Sequence, residues 1–443
     1  MKMMSDILSR IEKDDVRFIS FQFTTIDGSI KQLIHPARKL ETLLDDGLGF
    51  DGSSCKYVPV NESDLRLKPD LSTYRLLPWG KPENRTARFI CDVYRGDGSE
   101  PFPADPRGIL KKAIQDMKKE FGEGWDFLLA PEIEFFLLEK DESGNYVPHD
   151  RASYFEIPPY DKGAEFRKDL SRALDAMGVP AEKNHHEVPV GKHEITFGHD
   201  DALTTADNTM TYRQVVKYFA GQKGLVATFM PKPFVWTYGC GMHVHLNLKD
   251  TKKGINLFAD ETREHGLSDI ARHFIAGLLD HARSLAGITN PSVNSYKRLV
   301  PGWEAPVYVS WGFNNRSSLL RIPASSLKAL RVETRNPDSS CNPYLAFTVL
   351  LAAGLDGIRR RLEPPPYIND NIYALSSEEK RKRGIEALPG SLKEALKAFK
   401  DDKVLLDALG DVLVEKFLEI KENEVQEFAT SVHPWELEKY INV

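Results

Sequence analysis

Apolar and polar positions set out the elements of this chain before any motif is considered. Val16-Arg17-Phe18-Ile19-Ser20-Phe21-Gln22-Phe23 and Ser29 to Ile34 read as two strands, and Asp27-Gly28 between them is a good hairpin turn. Another strand is expected over Ala87 to Tyr94 and a helix from near Arg107. Pro101, Pro103 and Pro106 fall between them, so residues 100–107 form a plausible domain boundary. The longest apolar stretch, Tyr344 to Leu355, is too short to cross a bilayer and predicts a core helix, which Glu363-Pro364-Pro365-Pro366 must end. Helices dominate the remainder. Ser391 and Glu394 have the spacing of a capping box, Leu392, Leu396 and Phe399 mark an amphipathic helix, Val412 to Phe428 reads as a longer one, and Pro434 opens a final turn region. The expected organisation is α+β, with a small domain over 1–103 and a large one over 104–443 that carries a helical tail.

Several strand-like segments break the usual pattern by placing ionisable residues alternately with apolar ones. Glu132 and Glu134 share one face of a strand inside Phe127 to Leu137. His243 and His245 alternate with apolar residues in Gly241 to Leu246, and Arg331, Glu333 and Arg335 share a face in Leu330 to Arg335. His185-His186-Glu187, followed by Glu194, adds two more acids. Each segment alone could be a solvated edge, but together they predict charged strand faces converging on a polar cavity that takes metal ions. Glu132, Glu134, Glu187, Glu194 and Glu333 carry five negative charges, which two divalent cations would bring near neutrality, and His243 could complete a ligand shell. Mostly oxygen donors favour Mg²⁺ or Mn²⁺. His185 and His186 leave a zinc reading open, with His185 otherwise a structural histidine.

Composition narrows the class. The 443 residues carry a net charge of −6, which argues against a basic field for nucleic acid or an anionic membrane. The first fifteen residues lack an apolar signal region, and the four cysteines form no CxxC pair, so a reducing cytoplasm is expected. No phosphate loop of the GxxxxGK[ST] kind occurs, and Gly239-x-Gly241 alone does not signal a dinucleotide fold. Arg298, Arg316, Arg321, Arg331 and Arg335 nevertheless crowd one stretch. Guanidiniums beside bound cations describe a clamp for a transferring phosphoryl group, hence a nucleotide-using enzyme without a P-loop.

These motifs resemble those of the class I glutamine synthetases. The likeness spans nearly the whole chain through Phe50-Asp51-Gly52-Ser53-Ser54, Asn61-Glu62-Ser63-Asp64, Pro131 to Phe136, His185-His186-Glu187, Gly241 to His245, Asn290 to Pro306 and Asn342-Pro343-Tyr344-Leu345. The resemblance implies a β-grasp domain followed by a catalytic domain with a curved antiparallel sheet flanked by helices. It implies ATP-dependent ligation of ammonia to glutamate through γ-glutamyl phosphate, with two Mg²⁺ or Mn²⁺ ions. Glu134, Glu187 and Glu194 look like ligands on the glutamate side, and Glu132, His243 and Glu333 like ligands of the ion bridging the ATP phosphates. Arg298, Arg335 and Gly239 fall at glutamate positions, and Arg316 and Arg321 where phosphates and the transferring group are contacted. Glu182, His245, Asn247 and Arg331 fall on the nucleotide side. Asp51 resembles the base that deprotonates ammonium, assisted by Tyr154, Ser54 and Glu304, the last on a flap that keeps water out.

The same resemblance implies a cytoplasmic dodecamer of two stacked hexameric rings, with Asp51 supplied by a neighbour and with C-terminal segments such as Val432 to Val443 joining the rings. Small regulatory proteins are potential partners, and the sequence does not disclose which effectors, 2-oxoglutarate and glutamine among them, tune activity. The sequence departs from the family in places. Tyr238 stands where members commonly have Asn, Asn247 replaces a common Ser, and Pro59 and Val60 fall where some feedback-inhibited members carry Arg. Tyr373 matches a tyrosine adenylylated in one subgroup, but only 19 residues separate Glu134 from Tyr154, so that subgroup's insertion is missing and no adenylylation is expected. The competing readings are a γ-glutamyl–amine ligase, a silent glutamine-binding relative and a metal-dependent hydrolase. Asp51, Tyr154 and Glu304 favour ammonia over larger amines, and the complete ligand and arginine sets disfavour the other two.

Overall fold

The computed structural model describes residues 2–38 and 40–443. Five strands form the first sheet: β1 (Phe18–Thr24), β2 (Ile30–Pro36), β3 (Leu48–Asp51), β4 (Asp64–Leu76) and β5 (Thr86–Arg95), in the order β2-β1-β5-β4-β3. The expected hairpin is present, with Thr24 paired to Ile30. β1 and β5 run parallel and every other pair is antiparallel, the mixed arrangement of a β-grasp. Gly28 in the hairpin turn has φ +83°, and a Cβ there would lie 3.3 Å from the Cα of Asn342. Both conditions favour glycine. Asn342 completes the joint, because its Nδ2 donates to the carbonyls of Thr25 (3.1 Å) and Ile26 (3.3 Å) while its Oδ1 caps the helix Pro343–Arg360 at Tyr344 N.

After β5 the chain enters the helix Pro106–Phe121, capped by Asp105 with proline in the first turn. The buried Arg107 ties the first sheet to the helix Ala202–Gln222, reaching Asp70 (2.8 Å), Asp92 (2.7 Å) and Asp207 (2.8 Å). Asp207 also accepts the hydroxyl of Tyr344. A buried guanidinium satisfied on several sides fixes relative orientation more than it adds stability.

The second sheet has eleven strands: β6 (Trp125–Lys140), β7 (Tyr146–Pro148), β8 (Ala181–His186), β9 (Lys192–Phe197), β10 (Asp200–Asp201), β11 (Val226–Thr228), β12 (Met242–Asp250), β13 (Ile255–Asn256), β14 (Trp311–Phe313), β15 (Leu320–Ile322) and β16 (Val332–Thr334). Its main path runs β14-β15-β16-β12-β6-β9-β8, with β7, β10 and β11 pairing with β6 and β13 with β12. The expected antiparallel sheet is in fact mixed, since β14 and β15 run parallel. Helices Ala202–Gln222, Asp269–Asp280 and Pro343–Arg360 bury apolar side chains in the core. The long core helix ends at Arg361, in a left-handed conformation just before the proline run, as expected.

Two local expectations change. Ser391 accepts the Glu394 N–H, but the Glu394 carboxylate accepts from Gly390 N, so the reciprocal half of a capping box is missing. The cause is the extended Ser391 backbone, with φ −151°. Pro434 opens a helix, Pro434–Tyr440, because its fixed φ suits a first turn and Glu436 closes a capping box on His433. Among the described residues no helix is long and apolar enough to cross a membrane.

Candidate active site

Strand register builds the site. Three rows of neighbours cross the second sheet: His185, Glu194 and Glu134 on β8, β9 and β6; then Thr196, Glu132 and His243 on β9, β6 and β12; then His245, Glu333 and Arg321 on β12, β16 and β15. Because side chains alternate with period two, residues an even number apart stay on this face, and the apolar residues between them enter the core.

Glu132, His243 and Glu333 place their donor atoms within 4.8 Å of one another. His243 Nδ1 lies 3.4 Å from Glu132 and 3.7 Å from Glu333. Fully buried Glu333 is held by Arg321 and Arg335, each at 2.6 Å, and although burial opposes its charge, Arg335 and the nearby histidines keep its pKa low. His245 Nε2 lies 3.0 Å from Glu132, and its Nδ1 accepts from Arg331 Nε at 3.1 Å. Arginine can only donate, so the His245 proton sits on Nε2 and points at Glu132.

A second group joins His185, Glu187 and Glu194 within the same 4.8 Å. His185 Nε2 is 2.8 Å from Glu187. Burial raises the pKa of Glu187, but the His185 hydrogen bond and Lys192 outweigh it and bring the value to about 2. Glu194 goes the other way, pushed well up by burial and by Glu132, Glu187 and Glu134. A buried carboxylate crowded by others is relieved by a cation, so the donor set fits a divalent ion here as well as at Glu132, His243 and Glu333.

The grouping differs from the set expected for this side. Glu134 faces Glu194 in register, yet its Oε2 accepts from Lys192 Nζ (3.0 Å) and Gly241 N (2.6 Å), while His185, expected to be structural, stands with Glu187 and Glu194. The physical reason is Lys192, whose ammonium is buried among these acids, 3.8 Å from Glu187 and bonded to the Gly239 carbonyl. Burial opposes its charge, but Glu134 and Glu187 raise its pKa above the ordinary value. Lys192 was absent from the sequence-derived set, although its alternation with Glu194 and Thr196 on one strand face is the same signal that marked Glu132 and Glu134.

Beside the first group opens a cavity of about 860 Å³, a size suited to a nucleotide, lined by Glu132, Glu182, His245, Asn247, Arg331 and Leu128 among others. Asn247 is oriented by bonds to Asn256 and the Leu330 carbonyl. Arg316 and Arg321 do not line this cavity. Arg321 is on Glu333, and Arg316 is exposed on a turn. Tyr154 stacks on Phe155 at 3.8 Å and meets His185 edge-on at 5.6 Å. Arg298 is buried and donates to the carbonyls of Asn336 (2.7 Å) and Arg335 (3.1 Å). Gly239 lies against it, where a Cβ would come 2.7 Å from Arg298 Cγ and 2.5 Å from the Pro231 carbonyl.

Asp51 is placed apart from these groups. It ends β3 and accepts from Ser53 N (2.9 Å), Ser53 Oγ (2.6 Å) and Ser54 Oγ (2.5 Å), all in its own loop. The Ser53 and Ser54 hydroxyls bring its pKa to about 2, so it is a carboxylate at neutral pH.

Family models match nearly the whole chain: the β-grasp domain of glutamine synthetase over residues 15–96 and its catalytic domain over 103–440. The chain belongs to the glutamine synthetase family. Curated glutamine synthetases similar to it include those of Thermotoga maritima (48% identical, over 97% of this chain and 98% of that one) and Methanococcus voltae (46%, over 98% of each). That of Thermus thermophilus is 47% identical over 99% and 98%. Among solved structures, a GmaS/ADP complex superimposes with a TM-score of 0.87 at 32% identity, over 99% of both chains. A glutamine synthetase of Plasmodium falciparum does so with 0.87 at 26%, over 99% of this chain and 98% of that one. The activity is the family's ATP-dependent synthesis of glutamine from glutamate and ammonia, with a divalent metal ion.

Proposed function

We propose that the two side-chain groups hold two divalent ions, Mg²⁺ or Mn²⁺, one at Glu132, His243 and Glu333 and one at Glu187, Glu194 and either His185 or Glu134. Bound there, such ions neutralise phosphate oxygens and act as Lewis acids. The observation that carries this reading is the double role of Glu132, which belongs to one donor group and also lines the nucleotide-sized cavity. ATP then lies among Glu182, His245, Asn247 and Arg331, with its γ-phosphate directed towards the acids.

A glutamate side-chain oxygen attacks the γ-phosphorus as the bond to the β-phosphate oxygen breaks, giving γ-glutamyl phosphate and ADP. Arg316 and Arg321 donate to the transferring phosphoryl oxygens. Arg298, Gly239, Glu134 and Arg335 orient glutamate. Asp51 takes a proton from ammonium, with Ser54, Tyr154 and Glu304 completing an anionic pocket. Ammonia adds to the acyl carbon and phosphate leaves. Glu304 lies on a flap that excludes water from the acyl phosphate.

Among the described residues Asp51 bonds only within its own loop, which supports its delivery to a neighbouring subunit's site in a dodecamer of two hexameric rings. The exposed Val432, Trp435, Leu437 and Ile441 of the C-terminal segment suit ring-to-ring contact. We place the enzyme in the cytoplasm, open to small regulatory proteins. ATP-dependent amide formation with Mg²⁺ or Mn²⁺, comparing ammonium with a panel of amines, tests the reading. Turnover with ammonium is expected, and turnover with larger amines alone would overturn it.

A further inference from the structure

The chain passes through Glu304 under restraint from both sides. Glu304 has φ +52°, a left-handed backbone that a glutamate keeps only when its neighbours hold it there. On one side, Trp303 is clamped. The ring of Tyr238 meets it edge-on, with centroids 5.8 Å apart at 72°, and Lys232 Nζ sits 4.0 Å from its ring centroid. Lys232 is itself fixed, because its backbone exchanges bonds of 2.7 and 3.1 Å with the Asn294 side chain and its ammonium donates to the Thr237 carbonyl. On the other side, the Ala305 carbonyl accepts the Tyr373 hydroxyl at 2.8 Å. The turn bearing Tyr373 is anchored in its turn, with Ile372 N donating to Ser317 Oγ beside Arg316.

Tyr238 links this flap to the glutamate side. The next residue, Gly239, is pressed against Arg298, and its carbonyl holds Lys192, which holds Glu134. One loop therefore touches the flap with an aromatic edge and the substrate-orienting residues with its backbone. A small polar residue at 238 could not reach the Trp303 ring in this way.

We propose that Tyr238 is a positioning residue for the ligase reaction: its ring, with Lys232, clamps Trp303 and thereby sets Glu304 over the acyl phosphate. This rests on the reading of Glu304 as a flap residue. The competing chemistry is explicit. If water replaces ammonia, it attacks the acyl carbon, the bond from that carbon to the phosphate oxygen breaks, and glutamate and phosphate are released, so ATP is consumed with no glutamine formed. A flap freed at Trp303 admits that water.

The test measures phosphate released and glutamine formed together in the assembled enzyme at limiting ammonium, with KM for ATP alongside. Tyr238→Ala is expected to raise the phosphate-to-glutamine ratio severalfold and to lower kcat for glutamine, with KM for ATP held within about twofold. Tyr238→Phe keeps the ring and is expected to keep the wild-type ratio. Tyr238→Leu fills the space without an aromatic edge and should uncouple as Ala does, which keeps the test decisive if the Ala variant fails to assemble. An unchanged ratio in Tyr238→Ala and Tyr238→Leu, or equal uncoupling in Tyr238→Phe, would overturn the proposal. Glu304→Ala separates the two layers: if it stays coupled, the flap reading itself falls, and if it uncouples while Tyr238→Ala does not, only the clamp falls.

Discussion

Glu132 and His245 lie on paired strands two residues out of register, and the Nε2 proton of the histidine points at the Glu132 carboxylate 3.0 Å away. The other carboxylate oxygen of Glu132 faces His243 at 3.4 Å. Burial raises the pKa of Glu132, but its hydrogen bonds with His243 and His245 outweigh that and hold it well below the ordinary carboxylate range. Glu132→Gln keeps shape and loses the charge, so divalent-ion affinity and glutamine formation should each fall at least about 100-fold. Mn²⁺ titration calorimetry with parallel assays checks this. Unchanged affinity would remove Glu132 from the ligand set.

Asp51 should matter to ammonia and not to ATP. Asp51→Ala is expected to lower kcat/KM for ammonium by about 10²–10⁴-fold, with ATP affinity changed by less than about twofold. Equal losses would contradict its assignment as the base. Because Asp51 bonds, among the described residues, only within its own loop, assemblies mixing Asp51→Ala with Glu333→Gln subunits should regain activity, to roughly a quarter of wild type for random pairing. No recovery after co-assembly would place the whole site within one subunit.

His281 offers a pH prediction away from the chemistry. Its Nδ1 bonds Asp402 (2.7 Å) and its Nε2 bonds Asp356 (3.1 Å), which also carries Arg360. Burial lowers its pKa, but the two carboxylates outweigh it and raise it above the ordinary 6.5. The stabilisation is therefore complete below that unfolded value and is lost as pH rises through the folded one. Asp402, shifted down, adds a contribution lost only in acid, as pH falls through its lowered pKa. His281→Gln should cost about 2 kcal/mol near pH 6 and less near pH 9, read from denaturant midpoints at one protein concentration. A difference that does not change with pH would mean His281 folds uncharged.

Tyr373 should remain unmodified. Its hydroxyl is engaged by the Ala305 carbonyl, and burial raises its pKa, so the phenolate needed to attack a nucleotide phosphorus is both covered and disfavoured. Intact-protein mass spectrometry of native enzyme should find no increment of one AMP on Tyr373, and finding one would refute this.

Much of the site was legible because strand periodicity is local. Alternation placed Glu132 with Glu134 and His243 with His245 on shared faces, and register then brought those faces together. What pattern alone could not give was which partner each carboxylate chooses. Glu134 turns to Lys192 through a contact between strands distant in sequence, which leaves His185 beside Glu187, its neighbour two residues on. Strands β14 and β15 span three residues each, too short for a period to show, whereas β16 was marked by the alternation of Arg331, Glu333 and Arg335 around it. The half-formed cap at Ser391 depends on one backbone angle, and the His281 bridge on three separate helical segments.

The contact between Gly28 and Asn342 has a mechanical consequence. The Asn342 side chain bolts the hairpin turn of the first sheet to the start of the long core helix, and Arg107 pins the same two bodies elsewhere. The β-grasp domain is thus a stiff arm rigidly continuous with its own catalytic core. If its tip carries Asp51 into the next subunit, a shift in one active site is not absorbed in a slack linker. In a ring it would be passed from subunit to subunit like torque through a train of gears.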